Sequence, residues 1–266
     1  MKCSIGRHVG RWLTFSVSAL GIAGVLLAQR GGGMMPSGPF DPHDISGYWE
    51  LGPDARSVPA ADLTPDAKEA INRVADEDMI SYRWCRPLGM PAMMDNGRPL
   101  DMQQGRWEIL MTPEANSSPR HLYLSRSQHI DPNIFDPSSI GDSIAHWEGD
   151  VLVVDTIGFH PKNGRLLIPG GGFRTENSHL VERYKLFKNG NVLSVTFTWT
   201  DSKVFRTPHT YEFRYSKVLG NYEPRPGIGC DPWDSERTEF VTRTFSPALK
   251  AKAEAAVVLP GTPTKK

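Results

Sequence analysis

The run Gly141 to His160 (GDSIAHWEGDVLVVDTIGFH) constrains this chain more than any other stretch, because it reads as two strands joined by a very tight turn. Ile144 to Glu148 and Val151 to Thr156 flank the dipeptide Gly149-Asp150. A two-residue connection of type I′ or II′ needs positive φ, which glycine adopts without a Cβ clash. With those two residues as the loop, His146 falls opposite Val153 and Ile144 opposite Asp155. His146 is then diagonal to Asp155 on one face, about 7–8 Å away and within reach of two side chains.

The same alternation continues on both sides of the hairpin. RWEILMTP, RHLYLSRSQHI, HLVERYKLF, NVLSVTFTWT and HTYEFRYSKV follow one another from Arg106, separated by turn-forming stretches such as Lys188-Asn189-Gly190. With Ile45 to Leu51 (ISGYWEL) and the two strands of the hairpin, the count reaches eight strands. No helix separates consecutive strands and most connections are short, so neighbours pair antiparallel. The expectation is a mainly all-β fold: an antiparallel eight-stranded up-and-down barrel or strongly curved sheet, lipocalin-like, with short peripheral helices. A barrel of about eight strands is just wide enough to hold one small ligand. In NVLSVTFTWT, Leu193, Val195, Phe197 and Trp199 share one face and Val192, Ser194, Thr196, Thr198 and Thr200 the other.

Residues 1–28 read as a secretory signal, with Lys2, Arg7 and Arg11 ahead of the apolar run Trp12 to Ala28. Residues 29–44 follow as a flexible tether, 45–245 as a single β-barrel-like domain, and 246–266 as a short C-terminal helix capped by Ser246 and started by Pro247, with a fraying tail. Inside the domain, Thr64 and Pro65 open a helix of roughly three turns whose apolar face is Ala67, Ile71 and Val74. Ser81 to Gly105, with Met90, Met93, Met94 and Met102, shows no periodicity and reads as irregular structure. Those methionines suit either an adaptable apolar pocket or an irregular core gap. Gly158 to Ser178 is a long glycine-rich interruption between two strong strands, expected to act as a lid over the barrel mouth.

Charge and cysteine usage narrow the partners. Without residues 1–28 the chain carries 27 basic against 30 acidic side chains, a formal charge of −3, and a mildly acidic body argues against nucleic acid. Membrane proximity is expected only if the signal stays uncleaved. Cys85 and Cys230 remain after the signal and could form one disulfide in an exporting pathway, provided their Cα atoms lie within about 7 Å. There is no CxxC and no His/Cys zinc pattern, so neither a metal nor a cofactor is expected. The oligomeric state is not readable.

The candidate chemistry lies in the β region. A His146–Asp155 pair in a cavity would be a general base with its orienting carboxylate. His209 and Tyr211, two apart, share a strand face, with Glu212 and Arg214 on the other. In HLVERY, His179 and Glu182 are three apart and fall on opposite faces, which excludes them as joint ligands of one metal. Met90, Met93, Trp147, Phe173 and Trp199 are the candidate ligand-binding residues. The first functional expectation is an exported barrel that binds a small apolar or aromatic molecule in its lumen. The alternatives are a cofactor-independent lyase, isomerase or hydrolase with a His/Asp/Tyr site in that cavity, and a structural or interaction module of the cell envelope.

Taken together, GDSIAHWEGDVLVVDTIGF, HLVERYKL and TWTDSKVFRTPHTYEFRY resemble a large group of exported bacterial proteins of unknown function, over roughly residues 83–217. The resemblance implies a discrete domain family and assigns no catalytic residue. Ser202 stands where those proteins commonly have proline.

Overall fold

Strand alternation becomes a wall with an inside and an outside. The computed structural model describes residues 40–83, 86–114, 118–131, 133–220 and 222. Its strands are β1 (Gly47–Ser57), β2 (Leu100–Gln104), β3 (Glu108–Pro113), β4 (Arg120–Tyr123), β5 (Asp142–Glu148), β6 (Val151–Ile157), β7 (Leu167–Ile168), β8 (Gly172–Phe173), β9 (His179–Phe187), β10 (Val192–Thr200) and β11 (His209–Lys217). All but β7 and β8 form one closed barrel, in the order β1-β2-β3-β4-β5-β6-β9-β10-β11, with β11 returning to β1. The barrel therefore has nine strands where eight were expected. The extra one is β2, inside the methionine-rich stretch read as irregular.

Connectivity is up-and-down with one exception. β4 pairs parallel to β5, and only through Leu122↔Ser143 and Tyr123↔Ile144. The run RHLYLSRSQHI is thus a four-residue strand followed by a crossover, residues 124–141, that climbs the outer wall from one end of the barrel to the other. At the hairpin that opened the sequence reading, Ile144 lies opposite Asp155 and His146 opposite Val153, as the turn chemistry requires. Gly149 has φ 55°.

Among the described residues the interior is filled. Trp49, Leu122, Leu152, Val154, Tyr184, Leu193, Val195, Phe197, Trp199 and Phe213 each have 0% exposed surface. An enclosed void as large as a water molecule would leave exposed area on its lining, so no such space touches these side chains. The expected lumenal ligand site is therefore replaced by packing. Burying one such side chain contributes roughly 1.5–3 kcal/mol, so a filled interior is where this fold's stability lies.

One charged pair sits inside. Arg120 donates through both terminal nitrogens to the two oxygens of Glu182, and additionally to Thr156 Oγ1 (2.8 Å), Ser143 Oγ (3.2 Å) and the Met90 sulfur (3.4 Å). Tyr184 donates to Glu182 at 2.7 Å. Burial disfavours the Arg120 charge, but Glu182 and Tyr184 outweigh it and raise the guanidinium above its ordinary value. Such a bidentate, fully bonded arrangement offsets a desolvation penalty of several kcal/mol per ion.

The helix α1 (Pro65–Arg83) is longer than the three turns expected. Thr64 Oγ1 accepts the Ala67 N–H at 3.1 Å, as the cap signal required. The buried Asp78 carboxylate accepts the Leu166 N–H and, at 2.5 Å, Arg165 Nε. This fixes the β7–β8 segment over one barrel end. Arg174, also buried, donates to the carbonyls of His160 (3.2 Å), Asn163 (2.6 Å) and Arg165 (3.3 Å). Burial lowers its pKa to about 10. The glycine-rich lid is in this way pinned in place. The C-terminal helix read from Ser246 onward, and both Cys85 and Cys230, lie outside the described residues. Among the described residues no helix is long and apolar enough to cross a membrane.

Candidate functional site

Asp155 is the centre of the best-organised polar cluster outside the barrel. It lies on the outward face of β6, because its neighbours Val154 and Thr156 point in and are fully buried. Asp155 faces Ile144 on β5 and Val181 on β9, which makes His179 its diagonal neighbour on β9. His179 Nε2 donates to Asp155 Oδ2 at 2.9 Å. His129 Nε2 donates to Asp155 Oδ1, also at 2.9 Å. The crossover of residues 124–141 lays that second imidazole across the wall.

The cluster extends one step further. His129 Nδ1 meets Asp142 Oδ2 at 2.9 Å, Arg126 donates to Asp142 Oδ1 at 2.5 Å, and the Ile130 N–H donates to Asp142 Oδ2 at 3.1 Å. His129 therefore lies between two carboxylates, with one ring nitrogen against each. The result is a continuous hydrogen-bonded line, Arg126–Asp142–His129–Asp155–His179.

The charges respond to one another. Hydrogen bonding from His179 holds Asp155 below the ordinary carboxylate range against its partial burial, and His129 adds to the effect. Reciprocally, the bond to Asp155 raises His179 above an ordinary imidazole, with desolvation opposing. Burial alone would raise Asp142; the bonds from Arg126, His129 and Ile130 outweigh it and the net shift is downward.

Beside this line lies a pocket of about 550 Å³, lined by Leu124, Ser125, Arg126, Ser127, His129, Ile144, Ala145, His146 and Asp155. It exists because β4 stops at Tyr123: where the parallel pairing ends, the crossover swings away and leaves a hollow against β5. Its apolar side chains are Leu124 and Ile144, and its polar side is Arg126, His129 and Asp155; Ala145, opposite the inward Val154, turns its methyl into the barrel. Among the described residues no three His, Cys, Asp or Glu side chains converge as a metal site.

The expected site residues separate. Asp155 is in the cluster, but His146, although diagonal to it as expected, turns to Glu148 Oε1 at 3.2 Å and stays exposed. His209 and Tyr211 do share a face, the inward one, and both are buried. His209 Nε2 donates to the Pro169 carbonyl at 2.7 Å, and Tyr211 accepts from Trp199 Nε1 at 3.2 Å. Burial raises the Tyr211 phenol far above its ordinary value, which removes it from acid–base work. Met90, Met93, Phe173 and Trp199 are buried in the core. Trp147 is half-buried at the other end of the hairpin, edge-on to His43 at 4.8 Å between ring centroids.

His129, Asp142 and His179 were not identified from the sequence as site residues. The diagonal rule that selected His146 selects His179 equally well, once the β6–β9 register is known. His129 carried no such signal, since it sits in a long connection whose path only the fold reveals.

No family model and no curated protein sequence matches the chain. Among solved structures, a crystal structure of a mutant of the fluorescent protein UnaG aligns with 65% of this chain and 95% of its own, at 13% sequence identity and a TM-score of 0.33.

Proposed function

We propose that this protein is a small-molecule-binding barrel whose site is the outer-wall pocket between the crossover and β5, not the lumen. The observation that carries the reading is the pairing of a packed interior with a wall pocket in which apolar Leu124 and Ile144 face convergent Arg126, His129 and Asp155. Ligand sites combine an apolar lining with a few placed polar groups in this way. The ligand class that fits is a small molecule with an apolar or aromatic body and a polar head. The test is native mass spectrometry of the full chain for a copurified small molecule, followed by the same measurement on Ile144→Arg. Retention of the molecule by Ile144→Arg would place the site elsewhere.

A second reading is favoured by one specific feature, the carboxylate of Asp155 held between two imidazoles. Asp155 orients His179 and raises its basicity, as an orienting carboxylate does for a general base. In this reading the site performs cofactor-independent proton transfer of the lyase, isomerase or hydrolase type, with His179 moving the proton and Asp155 positioning it. Turnover of a copurified molecule that is lost in both Asp155→Asn and His179→Gln, with binding retained, would support catalysis over binding alone.

Export belongs to the same proposal. It rests on the apolar run 12–28 behind Lys2, Arg7 and Arg11, and on the resemblance of residues 83–217 to exported bacterial proteins.

A further inference from the structure

The barrel end opposite the lid carries an unusual set of side chains. Strand register places the β2–β3 turn, the β5–β6 turn, the β9–β10 turn and the end of β11 at that end. Residues 40–46 run across it: Phe40 packs at Gly190, His43 Nε2 meets the Gly149 carbonyl at 2.9 Å, and Gln104 bonds both the His43 carbonyl and the Ile45 N–H. Six large hydrophobic residues are exposed among the described residues, and four of them are here: Phe40 (46%), Trp107 (60%), Phe187 (46%) and Leu219 (60%). Two of the aromatics carry their own cation. The Arg106 guanidinium lies 4.7 Å from the Trp107 ring and Lys185 Nζ 5.6 Å from the Phe187 ring.

The geometry points to this end as a surface that seats on a lipid bilayer. An exposed tryptophan and inserting Phe and Leu side chains beside Lys and Arg, whose apolar stems lie along the surface while the charge stays in water, are the set that favours a membrane interface. The chain itself supplies the second reason. The apolar run Trp12 to Ala28 joins this end through residues 29–39 only. Eleven residues span at most about 40 Å. Whenever 12–28 occupies a bilayer, this end and not the lid is the one held beside it.

Charge does not drive the contact. Arg106, Lys185, Lys188 and Lys217 are balanced by Asp41, Asp44, Glu50 and Asp150 at the same end. Apolar insertion does, so neutral phosphatidylcholine suffices as the partner.

The test uses the full chain with vesicles of phosphatidylcholine brominated on its acyl chains, reading tryptophan quenching. Trp107→Phe removes one exposed fluorophore and keeps an apolar side chain. The quenched part of the emission is expected to fall in Trp107→Phe and to fall again for Trp107 itself in Phe187→Ser/Leu219→Ser, which weakens the seat. Identical quenching in wild type and Trp107→Phe overturns the proposal. So does protection of Trp107 from iodide in lipid-free buffer, which would mean that the chain's own remaining residues cover this end. A dimer in lipid-free sedimentation that Phe187→Ser/Leu219→Ser dissolves would assign the surface to a second copy and overturn it equally.

Discussion

Two carboxylates on neighbouring strands, Glu182 and Asp155, do opposite things because one points in and the other out. Glu182 is fully buried against Arg120, so Glu182→Gln leaves a buried guanidinium without its counter-charge. Removing one partner of a buried pair costs about 3–5 kcal/mol, and urea unfolding of Glu182→Gln should show a loss of that size. Replacing both, as Arg120→Met/Glu182→Leu, should recover most of it, since an apolar pair of similar volume fits a filled interior. Asp155 is about a third exposed, and Asp155→Asn should cost under about 1 kcal/mol. Its effect lies in titration. His179, raised in the folded state, stabilises fully below the ordinary imidazole pKa and loses that contribution as pH rises through its folded value. Asp155, lowered in the folded state, stabilises above the ordinary carboxylate pKa and loses its contribution as pH falls through its folded value. Between those two limits both contributions hold. In Asp155→Asn, NMR titration of the His179 ring should show its pKa shifted down toward the ordinary value; an unchanged value would dissolve the dyad.

At the scale of elements, the weak seam is the two-residue parallel step from β4 to β5. The β9–β10 pair, by contrast, is continuous in register from Phe187↔Val192 to His179↔Thr200. Amide exchange at Leu122, Tyr123, Ser143 and Ile144 should be faster than at Val195 and Phe197, because local opening at the short step disrupts few hydrogen bonds. Gly141 is the hinge on which the crossover enters β5. Its φ is 70°, and a Cβ there would sit 2.6 Å from the Ile157 carbonyl oxygen and 2.7 Å from Thr156 Cγ2. Gly141→Ala should cost more than the roughly 1–2 kcal/mol of left-handed strain alone. It should also displace Asp142 from His129, visible as a lower melting temperature together with a shift of the His129 ring resonances.

For the whole molecule, closure is the decisive event. β1, near the start of the described residues, pairs with β11, near their end. Such non-local pairing must overcome loop-closure entropy before any contact is gained, so refolding should fall in the millisecond-to-second range of β-barrels and not in microseconds. Stopped-flow fluorescence from Trp49 and Trp199, both buried in the closed interior, would record it.

The hairpin register, the division of β10 into two faces, the opposed faces of His179 and Glu182 and the Thr64 cap were legible because each is local: turn chemistry, a period of two, or a cap three residues from its partner. Met90, Met93 and Trp199 were legible as apolar but not as core or pocket, since composition does not say how much of a lumen its own side chains fill. Residues 124–130 read as a continuation of the strand that begins at Arg120, and His129 was lost with them. The sequence by itself determined a mainly β chain with a fixed hairpin and Asp155 on its face. Only tertiary structure decided that the barrel is filled, that β4 stops short, and that His129 and His179 rather than His146 meet Asp155. The physical reason is that side-chain direction follows from neighbours in the chain, whereas a site is made by strands and a crossover whose meeting depends on how the barrel closes.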